Sequence, residues 1–199
     1  MKSLVIFKFK LQIIYLQGDV SDNDKLGIIP RVAHDIFSRT ESLDDKTKSE
    51  IKISYYEIYL EKIIDLLSNS TKGNLFVYED KKRMPFISGL KEVTVKNVQE
   101  LMEFFTEAKL KRHVSETDLN KMSSRSHTVF QIVIKQENSA ERKRITGKLL
   151  LIDLAGSERA CQRDVSGSVI RRESSYINKS LSVLSRVIFV LTSNTVSKY

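Results

Sequence analysis

Residues 149–158 run Leu-Leu-Leu-Ile-Asp-Leu-Ala-Gly-Ser-Glu. An unbroken apolar run of this length, ended by one acid and a glycine turn, suits a strand buried on both faces. The expected element is a central strand of a mostly parallel sheet that delivers Asp153 and Gly156 to the rim at its carboxyl end. Ligands of open α/β sheets bind beyond that rim. An acid there commonly holds the magnesium of a bound nucleoside triphosphate, and a glycine lets a backbone amide approach a phosphate closely. The plainer alternative is an aspartate capping a turn.

A second candidate element lies upstream at Asn120-Lys121-Met122-Ser123-Ser124-Arg125-Ser126-His127. Hydroxyls bond phosphate oxygens and ligate magnesium, and a fixed guanidinium pairs with a carboxylate. A polar loop with a capping serine is the alternative. Glu158 is the carboxylate placed to pair with Arg125, although a pair of this kind on an open surface contributes little. The element that would grip the phosphates is missing: no G-x-x-x-x-G-K-[ST] run occurs in the 199 residues.

Charge is distributed unevenly. Residues 1–110 carry 17 Lys/Arg and 17 Asp/Glu, whereas residues 111–199 carry 16 and 8, so the whole +8 excess lies in the second part. Such a one-sided field implies an acidic partner: nucleic acid, an anionic membrane or an acidic protein surface. Three clusters are candidates for that surface: Lys81-Lys82-Arg83, Arg142-Lys143-Arg144, and Arg171, Arg172 and Lys179 flanking the start of the last predicted helix. Each alone reads as a solvated loop. The single cysteine, Cys161, makes no internal disulfide, so a reducing compartment is expected. Lys8 and Lys10 interrupt the apolar N-terminus, and no stretch reaches the roughly 18 apolar residues of a membrane span.

The remaining pattern alternates strands and helices. Residues 4–16 and 51–59 read as strands, and Pro30 fits the first turn of a helix whose apolar side carries Val32, Ile36 and Phe37. Residues 40–50 read as linker. Short strands are expected at 75–78 and within 85–95, with Pro85 favouring a sheet edge. Asn97 and Glu100 form a capping box for a helix with Val98, Leu101, Met102, Phe105 and Ala108 on one face. Residues 128–135 and 148–154 should be strands joined by a hairpin. A long helix from about Glu173 carries two apolar stripes and expects burial on more than one side. His34 and His113 read as surface or helix-end residues, and no His/Cys spacing suggests zinc.

The motifs N-x-x-S-S-R-S-H, D-L-A-G-S-E and I-N-K-S-L-S at 177–182, in that order, resemble those of a kinesin motor domain. Gly27-Ile28-Ile29-Pro30-Arg31, Ser54-Tyr55-Tyr56-Glu57-Ile58-Tyr59 and Tyr78-Glu79-Asp80-Lys81-Lys82-Arg83-Met84-Pro85 extend the likeness. The last run, with Lys135-Gln136-Glu137-Asn138, is most similar to conventional kinesin heavy chains. The resemblance covers residues 16–192 and leaves 1–15 and 193–199 unmatched.

That resemblance implies a fold: part of a three-layer α/β sandwich of the P-loop NTPase type, with a central mostly parallel sheet and helices on both faces. It implies a microtubule-stimulated ATPase with ATP and magnesium as cofactors. The first switch loop would hold Asn120, Ser123, Ser124 and Arg125, with Ser124 on magnesium and the γ-phosphate. Asp153 would hold magnesium through water, and Gly156 would sense the γ-phosphate. Ser123, Arg125 and Glu158 would serve catalysis, the latter two by bridging the switches and ordering the attacking water. Lys81, Lys82, Arg83, Arg171, Arg172 and Lys179 would face acidic tubulin. The expected partner is the microtubule, with no nucleic acid and no membrane span. The expected setting is the cytoplasmic cytoskeleton, and the parent a homodimer with a coiled coil.

The departures are as informative. In the family, the first strands and the phosphate-binding loop precede the position of Gln17-Gly18, and a tubulin-binding turn and helix, a last strand and helix, and the neck linker follow residue 192. The second switch differs near Asp164, carries one extra residue before Tyr176, and has Ser185 at a usual glycine position. The expected consequence is a motor fragment with negligible ATPase activity of its own. The alternatives are a non-catalytic microtubule-binding module or an incomplete gene product with exposed sheet edges.

Overall fold

Antiparallel pairing of two long, β-branched strands builds the centre of the sheet. β2 (Thr47–Tyr59) pairs with β7 (His127–Asn138) from Thr47↔Asn138 to Ile58↔His127. β7 turns back through residues 139–142 into β8 (Lys143–Asp153). The computed structural model describes residues 2–8, 26–69, 75–117, 125–156 and 168–193, with side chains described for 26–69, 75–112, 125–156 and 175–193. β1 (Lys2–Lys8) lies parallel to β8 on its other side, from Lys2↔Gly147 to Lys8↔Asp153. β3 (Lys62–Asp65) and β6 (Val93–Val95) both pair antiparallel with β2, so the order is β1-β8-β7-β2-β3, with β6 beside β2. β4 (Phe76–Glu79) and β5 (Pro85–Ser88) form a separate hairpin.

The α/β architecture is as expected, but the strand directions are not. Among the described strands only β1 and β8 run parallel, and the sheet is dominated by antiparallel pairs. The reason is local. A four-residue turn joins β7 to β8 and a two-residue turn joins β2 to β3, and connections that short permit only antiparallel partners. The β2–β3 turn places Leu60 and Glu61 at φ 48° and 61°, the left-handed geometry of a primed hairpin turn, without glycine or asparagine. Residues 47–50, read as linker, extend β2 because they face residues 135–138 of β7 in register.

Helices cover the sheet where alternation leaves an apolar face. On β2, Ile51, Ile53 and Tyr55 point one way; on β7, Phe130 and Ile132 stand opposite Tyr55 and Ile53. These residues form one core with Ile29, Ala33 and Phe37 of α1 (Ile28–Glu41) and Leu101, Phe105 and Ala108 of α2 (Val98–Thr117). Pro30 sits in the first turn of α1, where its missing N–H costs nothing. The α2 cap is close to the expected box: Asn97 Oδ1 accepts from Glu100 N–H at 2.8 Å. The Glu100 carboxylate reaches one residue further back than the motif predicts, to Lys96 N–H at 2.8 Å.

The last helix, α3 (Ser168–Ser193), starts five residues earlier than its apolar period suggested. Arg171, Arg172 and Lys179 therefore lie within it rather than flanking its start. Among its described side chains only Ile177 is buried, while Val183, Val187, Phe189, Val190 and Leu191 are exposed. The two-sided burial expected of this helix is not seen among the described residues.

Candidate functional site

β8 ends where the sequence placed the candidate acid. Asp153 is its last residue and stands opposite Thr128 of β7 and Lys8 of β1 in backbone register. Thr128 is in turn opposite Glu57 of β2, so one rung crosses four strands: Lys8, Asp153, Thr128, Glu57. The turn that follows carries buried Ala155 and Gly156. β1 and β8 both finish at this edge, which gives it the one parallel pair of carboxyl ends among the described strands, the setting where α/β sheets bind ligands.

Arg125, Ser126 and His127 arrive at the same edge from the other side, at the start of β7. Two sets of hydrogen bonds hold Ser126 and His127. In the first, Ser126 is buried with two charged residues: Arg112 Nε donates to Glu57 Oε1 at 2.9 Å, an Arg112 terminal nitrogen donates to Ser126 Oγ at 3.0 Å, and Ser126 Oγ donates to Glu57 Oε1. Glu57 and Arg112 side chains are 4% and 5% exposed, so this is a desolvated ion pair. Burial of that kind demands a partner for each charge. The same burial raises the Tyr55 hydroxyl above its ordinary pKa, opposed by the Arg112 charge.

In the second set, Ala155 N–H donates to His127 Nδ1 at 3.0 Å, and His127 Nε2 lies 2.7 Å from Ser180 Oγ. Ser180 Oγ also donates to the Ile177 carbonyl at 2.8 Å. The start of β7, the turn after β8 and helix α3 thus meet on one imidazole. Burial holds the His127 pKa below its ordinary 6.5. A folded pKa below the unfolded one means that the unfolded chain takes up the proton first as pH falls. The contribution to stability is complete above about pH 6.5 and declines below it, down to the folded pKa. Urea midpoints compared at pH 7.5 and 5.5 should therefore fall further for the wild-type chain than for His127→Gln; equal falls would count against it.

The candidate residues divide as follows. Arg125, Asp153 and Gly156 are brought to one edge, with Arg125 lining a small cavity beside Glu61, Tyr176 and His127. Asn120, Ser123, Ser124 and Glu158 lie outside the described residues, as does the Arg125–Glu158 bridge. Lys81, Lys82 and Arg83 occupy the exposed tip of the β4–β5 hairpin. Asp80 Oδ1 organises that tip by accepting from Lys82 and Met84 N–H at 2.8 and 2.9 Å, and Arg83 takes φ 59°. Lys179 is exposed and pairs with Glu61 at 3.8 Å, while the Arg171 and Arg172 side chains lie outside the described set.

Sequence reasoning missed Glu57, Arg112 and the joint at His127. The first two carried a signal: Glu57 continues the inward row Ile51, Ile53, Tyr55, and Arg112 continues the helical row Leu101, Phe105, Ala108. A charge on each of two apolar faces asks for one buried pair. His127 carried no such signal, because Ser180 lies 53 residues away.

Among the described residues no three His, Cys, Asp or Glu converge as a metal cage. Asp153 brings a carboxylate to the rim, and carboxylates are a donor type that magnesium takes when it arrives with phosphates. No helix among the described residues is long and apolar enough to cross a membrane.

Comparison with known proteins bears on the family and the fold. The family profile described as the kinesin motor domain matches residues 15–199. Kinesin heavy chain isoform 5C of Rattus norvegicus is 48% identical over 180 residues, which is 90% of this chain and 19% of that protein. Isoform 5A of Homo sapiens is 47% identical over 182 residues, 92% and 17% of the two chains. The kinesin heavy chain of Doryteuthis pealeii is 48% identical over 176 residues, 88% and 18%. The chain thus spans about a fifth of the length of these relatives. A solved fast kinesin superposes with TM-score 0.83 at 37% identity, covering 98% of this chain and 55% of that one. The motor of a Kar3Vik1 fusion superposes with TM-score 0.69 at 32% identity, covering 79% and 40%.

Proposed function

Because this chain belongs to the kinesin motor domain family, we propose that it is the middle portion of an ATP-driven microtubule motor head. The observation that carries the proposal is the contact between His127 and Ala155. It joins the end of the Ser-Ser-Arg-Ser-His segment to the Asp-Leu-Ala-Gly turn at the carboxyl edge of β8. In this reading Ser124 and Asp153 would hold magnesium, and Gly156 would face the terminal phosphate. Asn120, Ser123, Arg125 and Glu158 orient the γ-phosphate and the attacking water. Magnesium would supply charge neutralisation at the phosphates. The chain's own groups would position and pair. Binding to microtubules, a cytoskeletal location and dimerisation of the parent belong to the same proposal.

Phosphate affinity in P-loop enzymes comes largely from backbone amides and one lysine in a loop that the 199 residues lack. The expected phosphate-release rate of this chain with microtubules equals that of its Asp153→Ala variant. Turnover clearly above that control refutes the expectation of inactivity. A second reading, a microtubule-binding module without catalysis, is favoured by the exposed cations at Lys81, Lys82 and Arg83. It predicts co-sedimentation with microtubules at low salt that is indifferent to ATP and lost at high salt, because exposed charges are screened. Absence of pelleting at low salt excludes this module.

A further inference from the structure

His127 stands at a meeting of three chain segments, and its hydrogen bonds have a defined direction. A backbone N–H only donates, so the bond from Ala155 makes Nδ1 the acceptor. A neutral ring then carries its proton on Nε2, which donates to Ser180 Oγ. Ser180 Oγ in turn donates its hydrogen bond to the Ile177 carbonyl. Each donor meets an acceptor along the whole path from Ala155 to helix α3. Ile177, at the end of that path, is the one buried side chain among those described on α3. Other residues near the joint add less: the Glu61–Lys179 pair is exposed and 3.8 Å apart.

We propose that His127, as the neutral Nε2–H tautomer, is a positioning residue that couples the Ala155–Gly156 turn to helix α3. Movement of the turn shifts the Ala155 amide, the amide steers the ring, and the ring carries Ser180 and its helix. The joint is a property of the described residues and does not depend on nucleotide binding. Only its use to transmit the state of a bound phosphate rests on the motor reading.

Two substitutions separate the halves of the joint. Asparagine places an amide oxygen where Nδ1 sits but does not reach Ser180. Glutamine places an amide nitrogen where Nε2 sits but offers nothing at Nδ1. Amide hydrogen exchange on the full chain reads both halves. His127→Asn should leave the Ala155 amide near its wild-type rate and speed exchange at residues 177–184 about tenfold, the loss of one net hydrogen bond of about 1.4 kcal/mol. Ser180→Ala should do the same. His127→Gln should do the reverse, deprotecting Ala155 and sparing α3. The amide of Ile132, in the centre of β7, controls for global unfolding. The ring of the wild-type chain should show a protonated Nε2 and a bare Nδ1 in long-range proton–nitrogen correlation spectra. If Ala155, α3 and Ile132 move together by one factor in all variants, His127 is packing only and the proposal fails. A proton on Nδ1 overturns it without any variant.

Discussion

Arg112→Met should destabilise the chain by about 3–5 kcal/mol, the usual consequence of leaving one charge of a buried pair without its partner. The substitution keeps most of the side-chain volume, so the loss is electrostatic rather than a cavity. Glu57 would lose its charged partner in a site where it is 4% exposed, with Ser126 as a remaining hydrogen-bond donor. Stability of small domains totals roughly 5–15 kcal/mol, so this one change consumes much of it. Urea unfolding followed by circular dichroism measures the effect as a lowered midpoint at unchanged slope. The double variant Glu57→Met/Arg112→Met discriminates the mechanism. Removing both charges should recover most of the loss, because apolar replacements of a buried pair are often neutral or better. A double variant as unstable as the sum of the singles would show that the pair is not what holds this corner of the sheet. A network tethering Ser126 also holds the chain entry to His127, so the single variant should loosen the start of β7 as well.

Phe130→Ala should cost about 3–5 kcal/mol by cavity formation. Phe130 is 2% exposed and packs edge-on against two aromatic neighbours, Tyr55 at 5.5 Å and Phe105 at 5.3 Å between ring centroids. Tyr55 and Phe105 stack on each other at 5.4 Å, so the three rings close a triangle between β2, β7 and α2. Removing one ring leaves two without their edge-to-face partner as well as a void. Phe130→Leu, which fills most of that void, should cost clearly less. The two variants are compared by the same urea titration, and equal losses would mean that aromatic geometry, rather than volume, dominates the site.

Much of this architecture is written in short-range patterns. Alternation along residues 51–59 and 128–135 marks β2 and β7, the spacing of Leu101, Phe105 and Ala108 marks the inner face of α2, and Asn97 marks its start. These patterns are legible because each element's apolar period follows from its own backbone geometry. Asp153 at the end of an apolar run was legible for the same reason. Strand direction was not. It depends on which edges the short turns at 60–61 and 139–142 allow to meet, and the apolar run of β8 fits a parallel or an antiparallel neighbour equally well. The start of α3 was misplaced because its first turn, Ser168 to Arg171, carries too little of the apolar period to betray a helix.

What the order of residues decided was therefore the elements, their inward faces and the chemistry carried to one edge of the sheet. The fold decided the pairings. Glu57 finds Arg112 across 55 positions and His127 finds Ser180 across 53. Local periodicity records that a face is buried, but not which distant group will neutralise a charge or complete a hydrogen bond there. Those partners are chosen only when the sheet and its helices close and desolvation makes every unpaired polar group costly.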